Sequence, residues 1–158
     1  MKRLFIPVFV LILVTGLMLF VHYRRVMLQR AEWDLLESRG IGEIVAGALI
    51  ENAAEHHGQL PPYEGWRISI EPYLMRVPLH PKARQRLNNA LAYYEYSKEV
   101  AGKDCSNMLS GETILLTRTR GLPRGTKIEV YLDGLGRITR PPPAFWRRWF
   151  RKSACPYQ

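Results

Sequence analysis

The residues best suited to contact another molecule stand near the end of the chain, where aromatic and basic side chains are interleaved. The segment Ala144–Lys152 reads AFWRRWFRK, and at about 100° per residue its four aromatic side chains fall within about 140° of arc on a helix. The basic side chains occupy the opposite side. Aromatic rings suit the boundary of a bilayer, and each cation near an anionic surface contributes roughly 1 kcal/mol. We therefore predict a docking surface, for a membrane interface or an acidic groove, made of Phe145, Trp146, Arg147, Arg148, Trp149, Phe150, Arg151 and Lys152.

Other interpretations of this basic aromatic tail remain open. It is also compatible with an ordinary terminal helix packed on its own domain, or with a disordered end. The same mixture of arginine and aromatic residues could bind single-stranded nucleic acid by stacking and phosphate pairing, a weaker alternative that needs a second basic platform. That platform would come from a predicted hairpin that carries Arg118, Arg120, Arg124 and Lys127.

Two cysteines offer a possible covalent link between the tail and the rest of the chain. Cys105 and Cys155 are 50 positions apart, and a disulfide between them in an oxidising compartment would stabilise the fold by roughly 4 kcal/mol on the loop-entropy model. Two unrelated thiols are equally compatible with the sequence, because spacing alone does not show whether the side chains meet.

The sequence predicts no catalytic residue, no bound metal and no cofactor. His56 and His57 are adjacent and point about 100° apart on a helix, which is a poor geometry for a chelate. Ser106 and Ser110 stand in no nucleophile motif, and phosphate-binding loops and dinucleotide fingerprints are absent from the sequence. We therefore predict a protein that is not an enzyme.

The composition permits one modest domain with a basic surface. The chain has 158 residues and a formal net charge of +9, and 47% of its residues are hydrophobic. Beyond position 22 there are 21 basic and 14 acidic residues, so the excess charge of +7 belongs to that part. Two cysteines exclude a disulfide-dense miniprotein, and 11 prolines and 12 glycines are too few and too scattered for collagen or a disordered tract.

An apolar segment near the start predicts a membrane anchor. Residues 4–21 read LFIPVFVLILVTGLMLFV without a charge, and as a helix they would span roughly 27 Å, close to the thickness of a bilayer core. The segment is followed by His22, Tyr23 and Arg24 instead of the small residues of a signal-peptidase site, so we predict a retained transmembrane helix over 4–22. Basic residues flank it on both sides, and charge alone leaves the orientation open.

Three helical regions are predicted beyond the anchor. A mixed apolar and polar pattern continues the helix over 23–40, where Gly40 and Gly42 should interrupt it. Apolar residues then recur every three or four positions from Ile41 to His57, and Gly58 marks the end of that helix. An extended stretch is predicted from Leu60 to Leu74, and a further helix over 82–94, with these residues facing inward: Leu87, Ala90, Leu91 and Tyr94.

After Gly102 the pattern becomes that of strands. Alternating, branched residues predict strands over 113–117, 127–132 and 137–139, joined by turns at 121–125 and at Asp133-Gly134. We therefore predict an α+β fold in which an amphipathic helix packs on a small antiparallel sheet. The predicted organisation is a basic terminus at 1–3, an anchor at 4–22, a helical extension at 23–40, a domain at 41–140 and the tail at 141–158.

This arrangement resembles the type IV pilin and type II secretion pseudopilin superfamily. The resemblance lies in the long N-terminal apolar helix, in the helix end at His57-Gly58-Gln59-Leu60-Pro61, and in the late small sheet with Tyr131-Leu132-Asp133-Gly134. The stretch Leu60-Pro61-Pro62, with Glu71-Pro72-Tyr73-Leu74, is similar to a large group of pilin-like proteins from planctomycete-type bacteria. The resemblance extends over roughly residues 1–140, and the matching positions are few and mostly structural.

The pattern departs from that family at the processing site. Lys2-Arg3-Leu4-Phe5 has no preceding glycine, and the apolar helix has no carboxylate. The resemblance therefore implies a pilin-like domain on a permanent tether in the bacterial inner membrane, with the C-terminal domain exported to the periplasm. The predicted function is that of a non-catalytic accessory or structural subunit of an envelope complex, whose partners are the bilayer, possible anionic lipid and other subunits. The alternative is a tethered module that binds a polyanion, either DNA or anionic lipid.

Overall fold

The computed structural model describes the backbone of residues 2–141 and the side chains of residues 12–141. Three α-helices and a four-stranded antiparallel sheet are present in this part of the chain, which has an α+β fold as predicted. The elements are α1 (Lys2–Glu55), α2 (Trp66–Arg76), α3 (Pro81–Leu91), β1 (Tyr94–Tyr96), β2 (Ile114–Arg118), β3 (Lys127–Tyr131) and β4 (Gly136–Thr139), with a short 3₁₀ turn at Cys105–Asn107. The chain divides into two units, residues 1–37 and residues 38–158.

Helix α1 runs through both glycines that were expected to interrupt it. Gly40 and Gly42 lie inside α1, so the predicted break is wrong. The reason for Gly42 is packing: an added Cβ there would lie 2.8 Å from Val130 Cγ2 and 2.9 Å from Tyr94 Cε1. The end of the helix at Glu55, followed by Gly58 in the left-handed region with φ 85°, is as the sequence indicates.

The stretch 66–76 is helical, although the sequence indicated an extended chain. Four residues of α2 are buried, and their spacing of four, three and one is that of a helix face: Trp66, Ile70, Tyr73 and Leu74. Pro72 lies within α2 without breaking it. The carboxyl end is held by Arg84 of α3, which donates from Nη1 to Leu74 O at 3.0 Å and from Nη2 to Val77 O at 2.6 Å.

The sheet has the order β1-β2-β3-β4, with every neighbouring pair antiparallel. Three strands lie where the sequence predicts them, and the reversals at 121–125 and at Asp133-Gly134 join them. The edge strand β1 was missed, because the predicted third helix was extended to Tyr94 whereas α3 ends at Leu91. Tyr94 is instead a fully buried strand residue.

The core lies between the sheet and the part of α1 that follows Ser38. Tyr94 donates its hydroxyl to Ser38 O, and Tyr96 donates to Pro61 O at 3.2 Å, so both phenols are satisfied. Burial raises the pKa of each phenol above its ordinary value. The largest fully buried side chains are Val45, Leu49, Leu60, Ile70, Leu87, Tyr94, Leu115, Leu116, Ile128 and Val130.

Helix α1 also contacts the other edge of the sheet. Glu43 Oε1 accepts from Gly136 N of β4 at 3.0 Å and from Arg39 Nε at 3.0 Å.

An added Cβ on Gly125 would lie 3.1 Å from Pro141 Cγ, so the chain leaves β4 alongside the loop between β2 and β3. The base of the C-terminal tail is therefore fixed at that end of the sheet.

Within the described residues, no helix combines the length and the apolar character that a bilayer crossing requires. The structure therefore lends no support to the spanning part of the predicted fold. Residues 4–11 of the predicted anchor have side chains that lie outside the described set.

Candidate functional site

A cleft of about 570 Å³ lies where the end of α1 meets α2. Its walls combine proline and aliphatic surface with several polar side chains, the composition expected of a ligand site. The lining residues are Asn52, His56, Gln59, Leu60, Pro61, Pro62, Ile68, Ser69, Pro72, Tyr73 and Gly102.

Local backbone geometry at the end of α1 forms the floor of this cleft. His57 and Gly58 both have positive φ values, 56° and 85°, and Gly58 N donates to Ala53 O at 2.7 Å. The chain reverses there, and Leu60 N donates to Lys103 O at 3.0 Å. An added Cβ on Gly58 would lie 2.9 Å from Asp104 Oδ1. Glycine at this position therefore permits both the left-handed conformation and the close approach of the 101–105 segment.

The polar side chains of the cleft leave acceptor atoms unused. His56 Nδ1 lies 2.8 Å from Asn52 O, and since a carbonyl only accepts, Nδ1 carries the proton. In the tautomer with the proton on Nδ1, Nε2 is an acceptor. Gln59 donates from Nε2 to Gly102 O at 3.2 Å, which leaves its Oε1 as an acceptor. The cleft is therefore suited to a ligand that brings hydrogen-bond donors on an apolar body.

A charged network borders the cleft and joins α1 to α2. Arg76 Nη1 lies 2.8 Å from Oε1 of both Glu51 and Glu55, and Tyr73 donates its hydroxyl to Glu55 Oε2 at 2.7 Å. The hydrogen bonds from Arg76 and then Tyr73 hold the pKa of the Glu55 carboxyl below its ordinary value of 4.5. The same bond to Glu55 raises the pKa of Tyr73 above 10.0.

We expect the free energy of unfolding to depend on pH because Glu55 must be ionised to form this network. Because the pKa of Glu55 is lowered by folding, its contribution is complete above pH 4.5 and is lost as the pH falls through the folded-state value. Glu55→Gln should therefore be less stable than the wild type at neutral pH, and the difference should shrink below pH 4.5 in urea titrations at a series of pH values. Glu64→Gln is the control, since its carboxylate makes no hydrogen bond or ion pair within the described part of the chain. If the free energies of unfolding of the wild type and Glu55→Gln, plotted against pH, stay parallel at all pH values, the expectation is contradicted.

A second hollow of about 640 Å³ lies beside β1 and β2 and has an acidic lining. Glu95, Glu99 and Glu112 line it together with Lys103. Across residues 2–141, no three histidine, cysteine or carboxylate side chains are placed to share a metal ion.

The predicted docking surface Phe145–Lys152 lies outside the described residues, and so does Cys155. Cys105 is half-buried at the start of the 3₁₀ turn. The predicted disulfide therefore remains a prediction.

The basic residues predicted on the hairpin do not form one platform. Arg118 is only 9% exposed, and its guanidinium lies 5.1 Å and 5.6 Å from the ring centroids of Tyr93 and Tyr94. Lys127 pairs with Glu129 at 2.6 Å. Arg120 and Arg124 are exposed, and they alone of the four side chains extend the basic surface of the loop.

The histidines have structural positions that the sequence did not reveal. His56 lines the cleft, whereas His57 is exposed. His80 caps α3, where its Nδ1 accepts from Lys82 N at 3.3 Å. The cleft itself was missed because α2 was not predicted, although its Pro-Pro pair and its helical spacing of Trp66, Ile70 and Tyr73 were visible signals.

Compared with protein-family models, curated proteins and solved structures, the chain shows no significant match. The described part of the chain is thus a small α+β domain with a long N-terminal helix and a cleft of mixed polar and apolar lining between α1 and α2.

Proposed function

We propose that the protein is a non-catalytic single-pass membrane protein, a pilin-like accessory or structural subunit of a larger envelope complex. The observation that carries this proposal is the uncharged run 4–21, which lies in the same helix that reaches the α+β domain. From residue 12 onward its apolar side chains are exposed; Ile12, Leu17 and Met18 are 64%, 64% and 71% exposed. A lipid environment would cover this surface.

Membrane fractionation of charge variants tests the anchor. Introducing Leu13→Arg together with Leu17→Arg places two cations in the middle of the run, each costing about 2.5–3.5 kcal/mol for insertion on the translocon scale. We expect the wild type to stay with membranes after alkaline carbonate washing and the double variant to be released. Leu28→Arg, at an exposed position beyond the run, is the matched control and should behave as the wild type. Wild-type protein found in the carbonate supernatant would overturn the proposal.

The resemblance to pilin-like proteins supports an inner-membrane location with the domain in the periplasm. The α+β architecture, with a helix packed on a late antiparallel sheet, is consistent with that resemblance. A reporter fused after Gln158 that is active only in the periplasm tests this orientation, and activity of a cytoplasmic reporter at the same position would contradict it.

Affinity purification from membranes should recover other subunits of the complex. If the tail binds those subunits, replacing both Trp146 and Trp149 by alanine should reduce their recovery.

A tethered polyanion-binding module is the second candidate. It is supported by the contact between Gly125 and Pro141, which puts the base of the basic tail beside the loop that carries Arg120 and Arg124. Binding to vesicles with anionic lipid, or to DNA, should then weaken steeply between low and moderate salt. Binding that does not respond to salt would exclude this candidate.

A further inference from the structure

The segment that supplies most of the cleft between α1 and α2 is acidic, although the protein is strongly basic and no carboxylate of the described residues lines the cleft itself. Residues 49–76, which supply most of its walls, contain four acidic and two basic side chains, a net charge of −2 in a chain of +9. The charged groups that border the cleft include Glu51 and Glu55, which share the single cation Arg76. A cationic segment is therefore attracted to this part of the surface.

The hydrogen-bonding capacity of the cleft narrows the class of ligand further. Its unused side-chain atoms include acceptors, His56 Nε2 and Gln59 Oε1, as derived above from the bonds that their partner nitrogens make. Arginine and the tryptophan indole are donors only. A segment rich in these two residues is thus complementary to the cleft in hydrogen bonding as well as in charge.

The apolar walls are suited to aromatic rings. Pro62 and Pro72 are exposed, and Ile68 of α2 is 76% exposed in the lining of the cleft, so the three side chains offer apolar surface there. Burial of a tryptophan against such surfaces removes apolar area on both sides from water.

We propose that this cleft binds the basic aromatic segment 144–152 of the same chain. The base of the segment is fixed where Pro141 contacts Gly125. The segment begins three residues after Pro141 and ends eleven residues after it. A fully extended chain therefore carries Lys152 about 36 Å from Pro141, which is about the diameter of a domain of about 100 residues with a radius of gyration of about 13 Å. Attachment to the same chain gives the segment a high effective concentration at the cleft. This inference rests on the proposed function: the segment that docks other subunits or the membrane is held in the cleft until a partner releases it.

Hydrogen exchange of the full-length protein tests the proposal. We expect amides in 142–158 to be protected in the wild type, and Ile68→Arg to accelerate their exchange about tenfold or more, because an arginine at the edge of the cleft repels the segment and removes apolar contact. Gln59→Lys, which replaces an acceptor with a cation, should act in the same direction. Leu109→Arg is the matched control: Leu109 is a 67% exposed aliphatic residue that does not line the cleft, and its variant should keep the protection.

A photo-crosslinker at Trp149, eight residues after Pro141, identifies the occupant directly. The expected product has the mass of one chain and joins residue 149 to the 59–73 segment. Unprotected amides in 142–158, protection that Ile68→Arg leaves unchanged, or crosslinks only between two copies would each overturn the proposal. Protection that arises only with anionic vesicles or DNA would also overturn it, in favour of an external partner. Carbonate extraction is independent of these readouts, so failure of the anchor and failure of this proposal are distinguishable.

Discussion

Replacing Gly42 with alanine is expected to lower the free energy of unfolding by about 1–3 kcal/mol. An added Cβ would lie 2.8 Å from Val130 Cγ2 and 2.9 Å from Tyr94 Cε1, closer than real Cβ contacts allow. Both neighbours are fully buried in the sheet, so they have little room to move. The helix would have to shift away from the sheet, although alanine is the better helix former.

Gly47 provides the control within the same helix. It is exposed, and an added Cβ there has no atom within 4 Å. Gly47→Ala should therefore raise the free energy of unfolding by roughly 0.5–1 kcal/mol through helix propensity alone. Urea denaturation followed by circular dichroism measures both variants. Equal effects of the two substitutions would mean that α1 does not approach β3 at Gly42.

Replacing Arg84 with alanine should cost about 1.5–3 kcal/mol of stability. Its guanidinium donates to Leu74 O and Val77 O at the end of α2. Each carbonyl also accepts one backbone amide, Leu74 O from Val77 N at 3.4 Å and Val77 O from Leu79 N at 2.9 Å, so Arg84 supplies the second bond to each. Lysine should restore only part of the loss, because one ammonium cannot reproduce the two-pronged contact.

Gln85→Ala is the matched control for Arg84. Gln85 is the next residue of α3 and is exposed, so alanine there should leave stability unchanged or raise it by a few tenths of a kcal/mol. Thermal denaturation compares the stability of Arg84→Ala, which removes the cap of α2, with that of Gln85→Ala, which does not. A loss at Gln85 as large as that at Arg84 would indicate that α3 itself, and not the cap of α2, had been disturbed.

The sequence was informative where one periodicity dominates a segment. The three- and four-residue spacing of Val45, Ala48 and Leu49 predicts the buried face of α1 correctly, and the alternation in 127–132 predicts β3. It was misleading at Gly42, where glycine is required by a close approach of the sheet and not by a break in the helix. That approach involves Tyr94 and Val130, which are far away in sequence.

Helix α2 and strand β1 were not predicted, because their local sequence patterns do not show the structure that tertiary packing imposes on them. Residues 66–70 alternate in a way that suits a strand, and Pro72 disfavours a helix interior, yet burial of Trp66, Ile70 and Tyr73 on one face requires α2. Strand β1 is only three residues long, and its pairing with β2 is a long-range contact that no local pattern reveals.

The candidate cleft could be predicted only in part. The Pro-Pro pair and the end of the helix at Gly58 were visible in the sequence. The approach of the 101–105 segment, which provides Gly102 and the bridge between Gln59 and Asp104, depends on the tertiary fold. The docking surface of the tail stays a prediction from the helical spacing of its aromatic and basic residues, which lie outside the described part of the chain.

The hydrogen bond from Gly136 N to Glu43 has a consequence for self-assembly. It occupies the first amide of β4, which is four residues long and pairs with β3 alone among the described strands. Pro141 follows two residues after β4 and has no amide proton to offer. The β4 edge of the sheet is thereby too short and too well capped to template growth by an incoming strand, and the opposite edge, β1, has only three residues. Copies of this protein held side by side at high local density should accordingly resist conversion into cross-β aggregates.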